Sequence, residues 1–243
     1  MLLAYVSLEI RRTLRDAGFV IFGVGMPVMM YLLFTNLGVS GSEEDKAASL
    51  AAMIGMAAYG ALGSAVSTGS SVAEDKGLGW LRQLRITPMS PLLVVTGRCI
   101  SGSVTVLPAI LAVLLAGGLV NGVELEPWQW AAVGGLLWVG TAPFTLLGLG
   151  NGYRLSGQTT GVVNMACNLG LSVVGGLWIP SSVFPGWLRA VSEWTPSHRF
   201  GQLGWTIADG AAPRAGTVAV LAAWTAVFGA YAVYAYRRSA RTP

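Results

Sequence analysis

Apolar residues fill six long blocks of the chain, and short polar stretches separate them. Uninterrupted apolar runs of about 18 residues or more are typical of helices that cross a membrane. Backbone polar groups in lipid must be hydrogen-bonded within a helix or a closed barrel, and the alternating pattern of barrel strands does not occur. The pattern therefore predicts an all-α polytopic membrane protein with six transmembrane helices, at roughly Phe19–Leu37, Ser49–Val72, Ile100–Val120, Trp130–Gly150, Thr159–Ile179 and Gly216–Tyr236.

Residues 1–16 follow a different pattern. The apolar residues Leu3, Val6, Ile10 and Leu14 recur at helical spacing, whereas charged residues occupy the other faces. An amphipathic helix of this kind lies in the plane of the membrane interface. We therefore expect an N-terminal interfacial helix before the first span.

The distribution of basic residues predicts the orientation. If the N-terminus lies in the cytoplasm, eleven of the fifteen Lys and Arg residues fall in the inner segments. Cytoplasmic loops carry such an excess, so both termini are predicted to be cytoplasmic and residues 1–243 to form a single transmembrane domain. The basic residues stand at helix ends rather than on one surface, which does not indicate nucleic-acid binding.

Composition supports the membrane assignment and bears on whether the chain holds a metal site or catalytic residues. Only 11% of the residues are charged, against roughly 25% in soluble domains. Cys99 and Cys167 lack the spacing of a metal site or a disulfide framework. A membrane-embedded enzyme would show clustered His, Asp or Glu, and here the carboxylates are dispersed and His198 is the single histidine. We expect neither a metal site nor catalytic residues.

Residues 181–215, before the last span, combine aromatic residues with prolines. Aromatic side chains suit the membrane interface, and prolines divide a stretch into short helices. The segment is predicted to form a re-entrant or interfacial helical cap at the outer end of the bundle. Its marker residues are Phe184, Pro185, Trp187, Trp194 and Pro196.

A polar segment, EDKGLGWLRQLRITPMSP at residues 74–91, interrupts the apolar pattern between the second and third predicted spans. Gly77 and Gly79 end the preceding helix, and Pro88 and Pro91 limit a further one. The residues between them allow about two turns of amphipathic helix on the cytoplasmic side. Such a helix suits the docking of a partner.

This segment resembles the coupling region of type-2 ATP-binding-cassette (ABC) exporter permeases. The shared features are an acidic pair leaving the second span, a glycine, a Leu-Arg pair and Thr-Pro-Met-Ser-Pro. The later block with Phe184-Pro185, Trp187-Leu188 and Trp194-Thr195-Pro196 looks like the extracellular helical hairpin of the same family. The similarity extends over nearly the whole chain, from the amphipathic start through the six spans.

The resemblance implies a transport subunit that pairs with a second permease, identical or related, and with ATP-binding subunits. ATP and Mg²⁺ would be bound by those partners and not by this chain. The implied cargo is a hydrophobic or amphipathic small molecule, as in the antibiotic and multidrug-resistance branch, exported across a bacterial cytoplasmic membrane. Polysaccharide or teichoic-acid export is the first alternative, and a membrane-embedded enzyme is a less favoured one. The residues implied to contact the ATPase are Glu74, Asp75, Gly79, Leu81, Arg82, Leu84, Arg85 and Thr87.

Polar and adaptable residues within the spans are candidates for a substrate path. Asn164 and Asn168 share a face of the fifth span with Gly157 and Gly161. Asparagines there either form hydrogen bonds between closely packed helices or line a water-filled path, and the first is the commoner use. Three residues of the second span could likewise line a hydrophobic path, or simply pack: Met53, Met56 and Tyr59.

One short motif suggests an ATPase but does not indicate one. Leu155-Ser156-Gly157-Gln158 resembles the signature sequence of ABC ATPases with one glycine missing. An ATPase would also need a glycine-rich phosphate loop that ends in Gly-Lys-Ser/Thr, and the chain contains none. We interpret the tetrapeptide as a turn into the fifth span.

Overall fold

The computed structural model describes residues 18–36, 43–77, 98–100 and 102–239, and these ranges contain helices, turns and no strand. Residues 102–104 are also helical and lead into α3. In chain order the helices are a π-helix, Phe19–Gly25, then α1 Met26–Asn36, α2 Glu43–Gly77, α3 Leu107–Leu119, α4 Pro127–Gly140, α5 Ala142–Arg154, α6 Gly157–Val174, a 3-10 helix Ser181–Val183, α7 Gly186–Ser192, α8 Pro196–Ala208 and α9 Ala215–Ser239.

Four stretches of the described chain are long and apolar enough to cross a membrane, and they coincide with the second, third, fourth and sixth predicted spans. The first predicted span is divided between the seven-residue π-helix and the eleven-residue α1. The fifth predicted span corresponds to α6, which is more polar because it contains Gln158, Asn164 and Asn168. The four stretches are Lys46–Lys76, Arg98–Leu119, Pro127–Arg154 and Ala215–Ser239.

The fifth predicted span was placed too long at its C-terminal end. It was expected to reach Ile179, but α6 ends at Val174. Gly176 has a φ of +73°, which a residue with a side chain rarely adopts. The amide of Leu177 donates to the carbonyl of Ser172, and that of Gly176 to the carbonyl of Val173. This pattern is a Schellman motif, which ends the helix although the next residues are apolar.

Helix α2 is the central element of the bundle. It packs against α1, α3, α5, α6 and α8. In its most apolar 18-residue window 72% is buried inside the protein, compared with 17% in α9. A helix that is apolar on every side is suited to such a position. The surrounding core includes Tyr31, Ile54, Leu62, Ile110, Leu137, Phe144 and Phe200, all fully buried.

Prolines mark the interruptions within the long helices. Pro27 follows the π-helix, and Pro143 stands in the first turn of α5 directly after the break from α4. Proline has no amide hydrogen, so the regular bonding pattern cannot continue through it. Pro108 occupies the same place in α3.

The segment before the last helix is part of the folded core. Pro196 lies in the first turn of α8, and the Thr195 side chain accepts a hydrogen bond from the amide of His198. Helix α8 packs against α4, α9 and α2, and buries Phe200 completely. The shorter α7 instead leaves Trp187 71% exposed.

The two ends of the bundle differ in charge. At the end we call the basic end, the C-termini of α2, α5 and α9 meet, and these termini and the residue before α3 supply Lys76, Arg98, Arg154, Arg237 and Arg238. At the opposite end, here the cap end, the start of α2 lies near the loop after α3 and near α8. Both signs of charge occur at that end, where Glu124, Glu126 and Asp209 lie together with Arg214.

Candidate functional site

The C-terminus of α2 is tied to two neighbouring elements at the basic end. Lys76 Nζ donates hydrogen bonds to the carbonyl oxygens of Tyr153 and Leu155, at 3.1 Å each. A cation is favoured there because the last carbonyls of α5 carry partial negative charge. Arg98 Nη2 lies 2.7 Å from Asp75 Oδ2, with both side chains 25% exposed. We call these contacts the basic-end clamp.

The clamp residues Asp75 and Lys76 lie at the start of the polar segment 74–91 identified in the sequence. Asp75 is half-buried in its ion pair, whereas Glu74 is exposed. The predicted interfacial helix 1–16 lies outside the described residues. So do the other residues implied to contact an ATPase, which are Gly79, Leu81, Arg82, Leu84, Arg85 and Thr87.

Reversing one charge of the clamp should destabilise the protein, and reversing both should restore it. With Arg98→Asp, two carboxylates would face each other, so we expect the free energy of unfolding to fall by about 1 to 2 kcal/mol. Adding Asp75→Arg recreates an ion pair with opposite polarity. Thermal unfolding of the purified protein measures both. Arg154→Asp, an exposed charge at the same end, is the control; equal losses in the single and double variants would contradict the pairing.

Buried amides connect four helices in the half of the bundle nearer the basic end. Asn164 of α6 donates to the carbonyl oxygen of Val66 in α2, at 3.0 Å, and accepts from Asn151 of α5, at 2.9 Å. Tyr231 of α9 donates to Asn151 Oδ1 at 3.0 Å. We call Asn151, Asn164 and Tyr231 the amide cluster. Its bonds join helices whose apolar surfaces alone would give little specificity in lipid.

The remaining candidates of the substrate path occupy different surroundings. Met53 and Met56 are fully buried, and Tyr59 packs edge-to-face on Trp178 with ring centroids 5.1 Å apart. Asn168 is half-buried, and its amide nitrogen lies 2.8 Å from where a side chain on Gly63 would begin. These residues therefore face the interior around α2.

Glycines bring α2 and α5 into direct backbone contact. A Cβ atom on Gly69 would lie 1.8 Å from the carbonyl oxygen of Gly148, and one on Gly152 would lie 2.2 Å from that of Gly69. Small residues four apart permit this approach in membranes. By contrast, a Cβ on Gly157 or Gly161 would meet nothing within 4 Å among the described residues, so the close packing expected for α6 does not occur within the part of the chain that the structure describes.

A cavity of about 670 Å³ lies at the cap end. It is enclosed by the end of α1, the start of α2, the turn after α6, α8 and the loop before α9. Its walls include Phe34, Trp178 and Trp205, and Asp209 and Arg214 lie at its exposed side. Sequence reasoning did not single out this set, since its members come from distant parts of the chain.

His198 lies in the wall of the cavity. Its Nδ1 lies 3.2 Å from the carbonyl oxygen of Gly175, and since a carbonyl only accepts, Nδ1 is the donor. Burial lowers the pKa of this imidazole below its usual 6.5, and the nearby Arg199 guanidinium acts in the same direction. The Gly175 carbonyl and Glu193 oppose that shift. The neutral ring therefore keeps Nε2 as a hydrogen-bond acceptor.

Acid should destabilise the cap through His198. Because its pKa is lower in the folded than in the unfolded state, the unfolded state binds more protons. The stabilisation is fully present above about pH 6.5 and is lost as the pH falls through the folded-state pKa. We expect the melting temperature to drop between about pH 7.5 and pH 5, and to drop less in His198→Gln. An identical pH dependence in both proteins would contradict this assignment.

The other marker residues of the outer segment divide between surface and interior. Trp194 is 69% exposed and Pro185 is also exposed, whereas Phe184 is half-buried and Pro196 is buried. Leu155 and Ser156 connect α5 to α6, and Gly157 and Gln158 are the first two residues of α6. Among the described residues, no group of three or more His, Cys, Asp or Glu side chains could hold a metal ion.

Comparison with known proteins decides the family. A family model described as "ABC-2 type transporter" matches residues 2–203, most of the chain. The chain belongs to the ABC-2 type transporter family. A relative from Bacillus subtilis (strain 168), named "Putative transport permease YvfS", is 27% identical over 233 residues, covering 95% of this chain and 94% of the relative. This ABC-2 family chain is thus a membrane transport subunit, as its coupling region and outer segment predicted.

Proposed function

We propose that this ABC-2 family chain is the permease of an ATP-driven exporter that moves a hydrophobic or amphipathic small molecule out of a bacterial cell. In this proposal it has six spans, with the first formed by the π-helix and α1 and the fifth by α6. Residues 181–215 form a re-entrant outer hairpin. The basic end faces the cytoplasm together with both termini, which the excess of Lys and Arg at that end supports.

The continuity of α2 is the observation that carries the proposal. Its 35 residues span roughly 50 Å. Near one end, Ala48, Ala51 and Ala52 line the cavity. At the other, Asp75 and Lys76 form the basic-end clamp at the start of the coupling segment, residues 74–91. A movement at the coupling segment would therefore reach the cap end through one rigid element.

The family implies an ATPase partner, and we propose where the two subunits meet. Residues 74–91 dock on the nucleotide-binding subunit, which binds ATP and Mg²⁺, and the interfacial helix 1–16 adds to that contact. ATP can do work only if its binding favours one of two arrangements of the spans. Two permease chains, identical or related, would pair in the cytoplasmic membrane to form the complete pathway.

The proposed cargo follows from the kind of space that the structure offers. Cavities of about 300 to 1,000 Å³ suit drug-sized ligands, and the one at the cap end falls within that range. Its apolar surface comes from residues such as Phe34, Trp178 and Trp205, whereas Met53 and Met56 are fully buried and do not line it. A small amphipathic molecule is therefore favoured over a polysaccharide or teichoic-acid chain.

Docking can be tested by reversing the apolar and basic character of the coupling segment. We would co-express the chain with an ATP-binding-cassette ATPase from the same genome. The variant Leu81→Asp with Arg85→Glu should copurify at least about tenfold less ATPase, since buried apolar and charged anchors dominate interfaces. It should also abolish ATP-dependent dye uptake by inverted vesicles.

The control is Arg154→Glu, which changes an exposed charge at the same end but outside the segment. It should leave both readouts near their original values. Normal ATPase binding by the coupling variant would show that the docking surface lies elsewhere. Dye uptake that does not depend on ATP would overturn the exporter itself.

A further inference from the structure

The cavity at the cap end has an apolar interior and a charged opening. Phe34, Trp178 and Trp205 supply aromatic surface, while Ala51 and Ala52 leave room between them. Asp209 and Arg214 are exposed. A ligand-binding cavity of this size typically combines apolar walls with a few placed polar groups. The cap-end cavity has that composition.

The two charges are available to a ligand. Within the described part of the chain, no ion pair joins Asp209 to Arg214 or either of them to another side chain. They carry opposite signs and lie five positions apart on the loop after α8. A ligand of large net charge is disfavoured at such an opening, because either the Asp209 carboxylate or the Arg214 guanidinium would repel it. It suits a molecule that carries both charges.

The cavity wall supplies a third polar group. His198 lines the cavity, and its Nδ1 is bonded to the carbonyl oxygen of Gly175. Ser192 Oγ lies 3.4 Å from the same nitrogen. Because Nδ1 is engaged in this way, Nε2, on the opposite edge of the ring, is the nitrogen left for a ligand. It would accept a hydrogen bond from the ligand's body.

We propose that the cap-end cavity is a binding site for a zwitterionic aromatic small molecule. The aromatic body would stack among Trp178, Trp205 and Phe34, its cationic group would lie beside Asp209 and its anionic group beside Arg214. The site lies within one chain, so it does not require a second permease. This inference rests on the proposed export function, for which the site would hold the cargo at the outer end of the pathway.

A matched pair of dyes tests the charge preference. Rhodamine B is a zwitterion at neutral pH, and its ethyl ester keeps the aromatic body and the cation but loses the anion. Binding would be measured by fluorescence anisotropy to the purified chain in lipid nanodiscs, with empty discs of the same lipid subtracted. We expect rhodamine B to bind about fivefold more tightly than its ester, the scale of one exposed ion pair.

Three variants locate the binding. Arg214→Ala should remove the preference for rhodamine B, and Asp209→Ala should weaken both dyes by a similar factor. Ala48→Trp fills the mouth of the cavity and should weaken both at least about tenfold. Glu193→Ala and Arg154→Ala remove exposed charges that do not line the cavity, so they serve as matched controls.

The outcomes separate this site from the export function. The measurement needs neither ATP nor the partner ATPase, so the site can fail while coupled transport remains intact. Equal binding of the two dyes, or binding unaffected by Ala48→Trp, would overturn the proposal. If Ala48→Trp does not fold, Ala211→Trp on the exposed loop provides the same block. If the dye binds in discs of phosphatidylglycerol but not in discs of phosphatidylcholine, the phosphatidylcholine headgroup is the occupant of the cavity. That result would also overturn the proposal.

Discussion

Gly148→Ala is expected to lower the free energy of unfolding by about 3 kcal/mol or more. This is the largest loss of stability that we predict for a single substitution. The added Cβ would lie 2.2 Å from the carbonyl oxygen of Val66. That neighbour is backbone of the central helix, so it cannot move aside as a flexible side chain would. The helices α2 and α5 would have to separate, which would also loosen the core around them. Thermal or denaturant unfolding in detergent measures the loss.

The control is Gly135→Ala in α4. A Cβ there would meet no atom of the described residues within 4 Å, and alanine favours helix by about 0.5 to 1 kcal/mol over glycine. This variant should therefore be as stable as the original protein or more stable. Similar losses at Gly135 and Gly148 would mean that helix propensity, and not backbone contact, sets the effect. Equal stability of Gly148→Ala and the original protein would contradict the close approach.

The second large effect is expected at the amide cluster. Asn164→Leu removes the bonds to Asn151 and Val66 and leaves Asn151 Nδ2 without its partner in the interior. Since hydrogen bonds between membrane helices contribute roughly 1 kcal/mol each, we expect a loss of about 1 to 2 kcal/mol. A double-mutant cycle with Asn151→Ala should show that the two residues are coupled.

Gln158→Leu provides the comparison on the same helix. Gln158 is exposed, so its replacement should change the free energy of unfolding by less than about 0.5 kcal/mol. Additive effects of Asn164→Leu and Asn151→Ala would contradict the bond between them. Losses of transport without loss of stability in Asn164→Leu would instead favour its place on the substrate path.

Sequence reasoning succeeded where a property repeats along the chain. Blocks of apolar residues about as long as a bilayer is thick predicted an all-helical membrane protein, and the four stretches of membrane-spanning length confirm this coarse architecture. The order of the Glu74-Asp75 pair, the Thr-Pro-Met-Ser-Pro sequence and the Phe184-Pro185 block predicted the transporter family, which the family match confirms. Both signals are linear, so neither requires knowledge of which helices touch.

Boundaries were harder to predict because a single residue can override an apolar pattern. The fifth predicted span ran to Ile179, and the structure ends that helix at Val174. The left-handed conformation at Gly176 and its two backbone hydrogen bonds decide the end. Glycine in the sequence allowed such a stop but did not require it, since other glycines of the chain lie within helices.

The sequence by itself determined the membrane class, the helical periodicity and the family, because composition and residue order along the chain carry them. Only the tertiary structure decided which residues of different helices contact each other. It brings Asp75 to Arg98, Asn164 to Asn151, and Trp178 to the same cavity as Arg214. These contacts join residues of different helices, and in a bundle of uniformly apolar helices the hydrophobic pattern does not specify which faces meet. The choice depends on where glycines permit close approach and where buried amides find their partners.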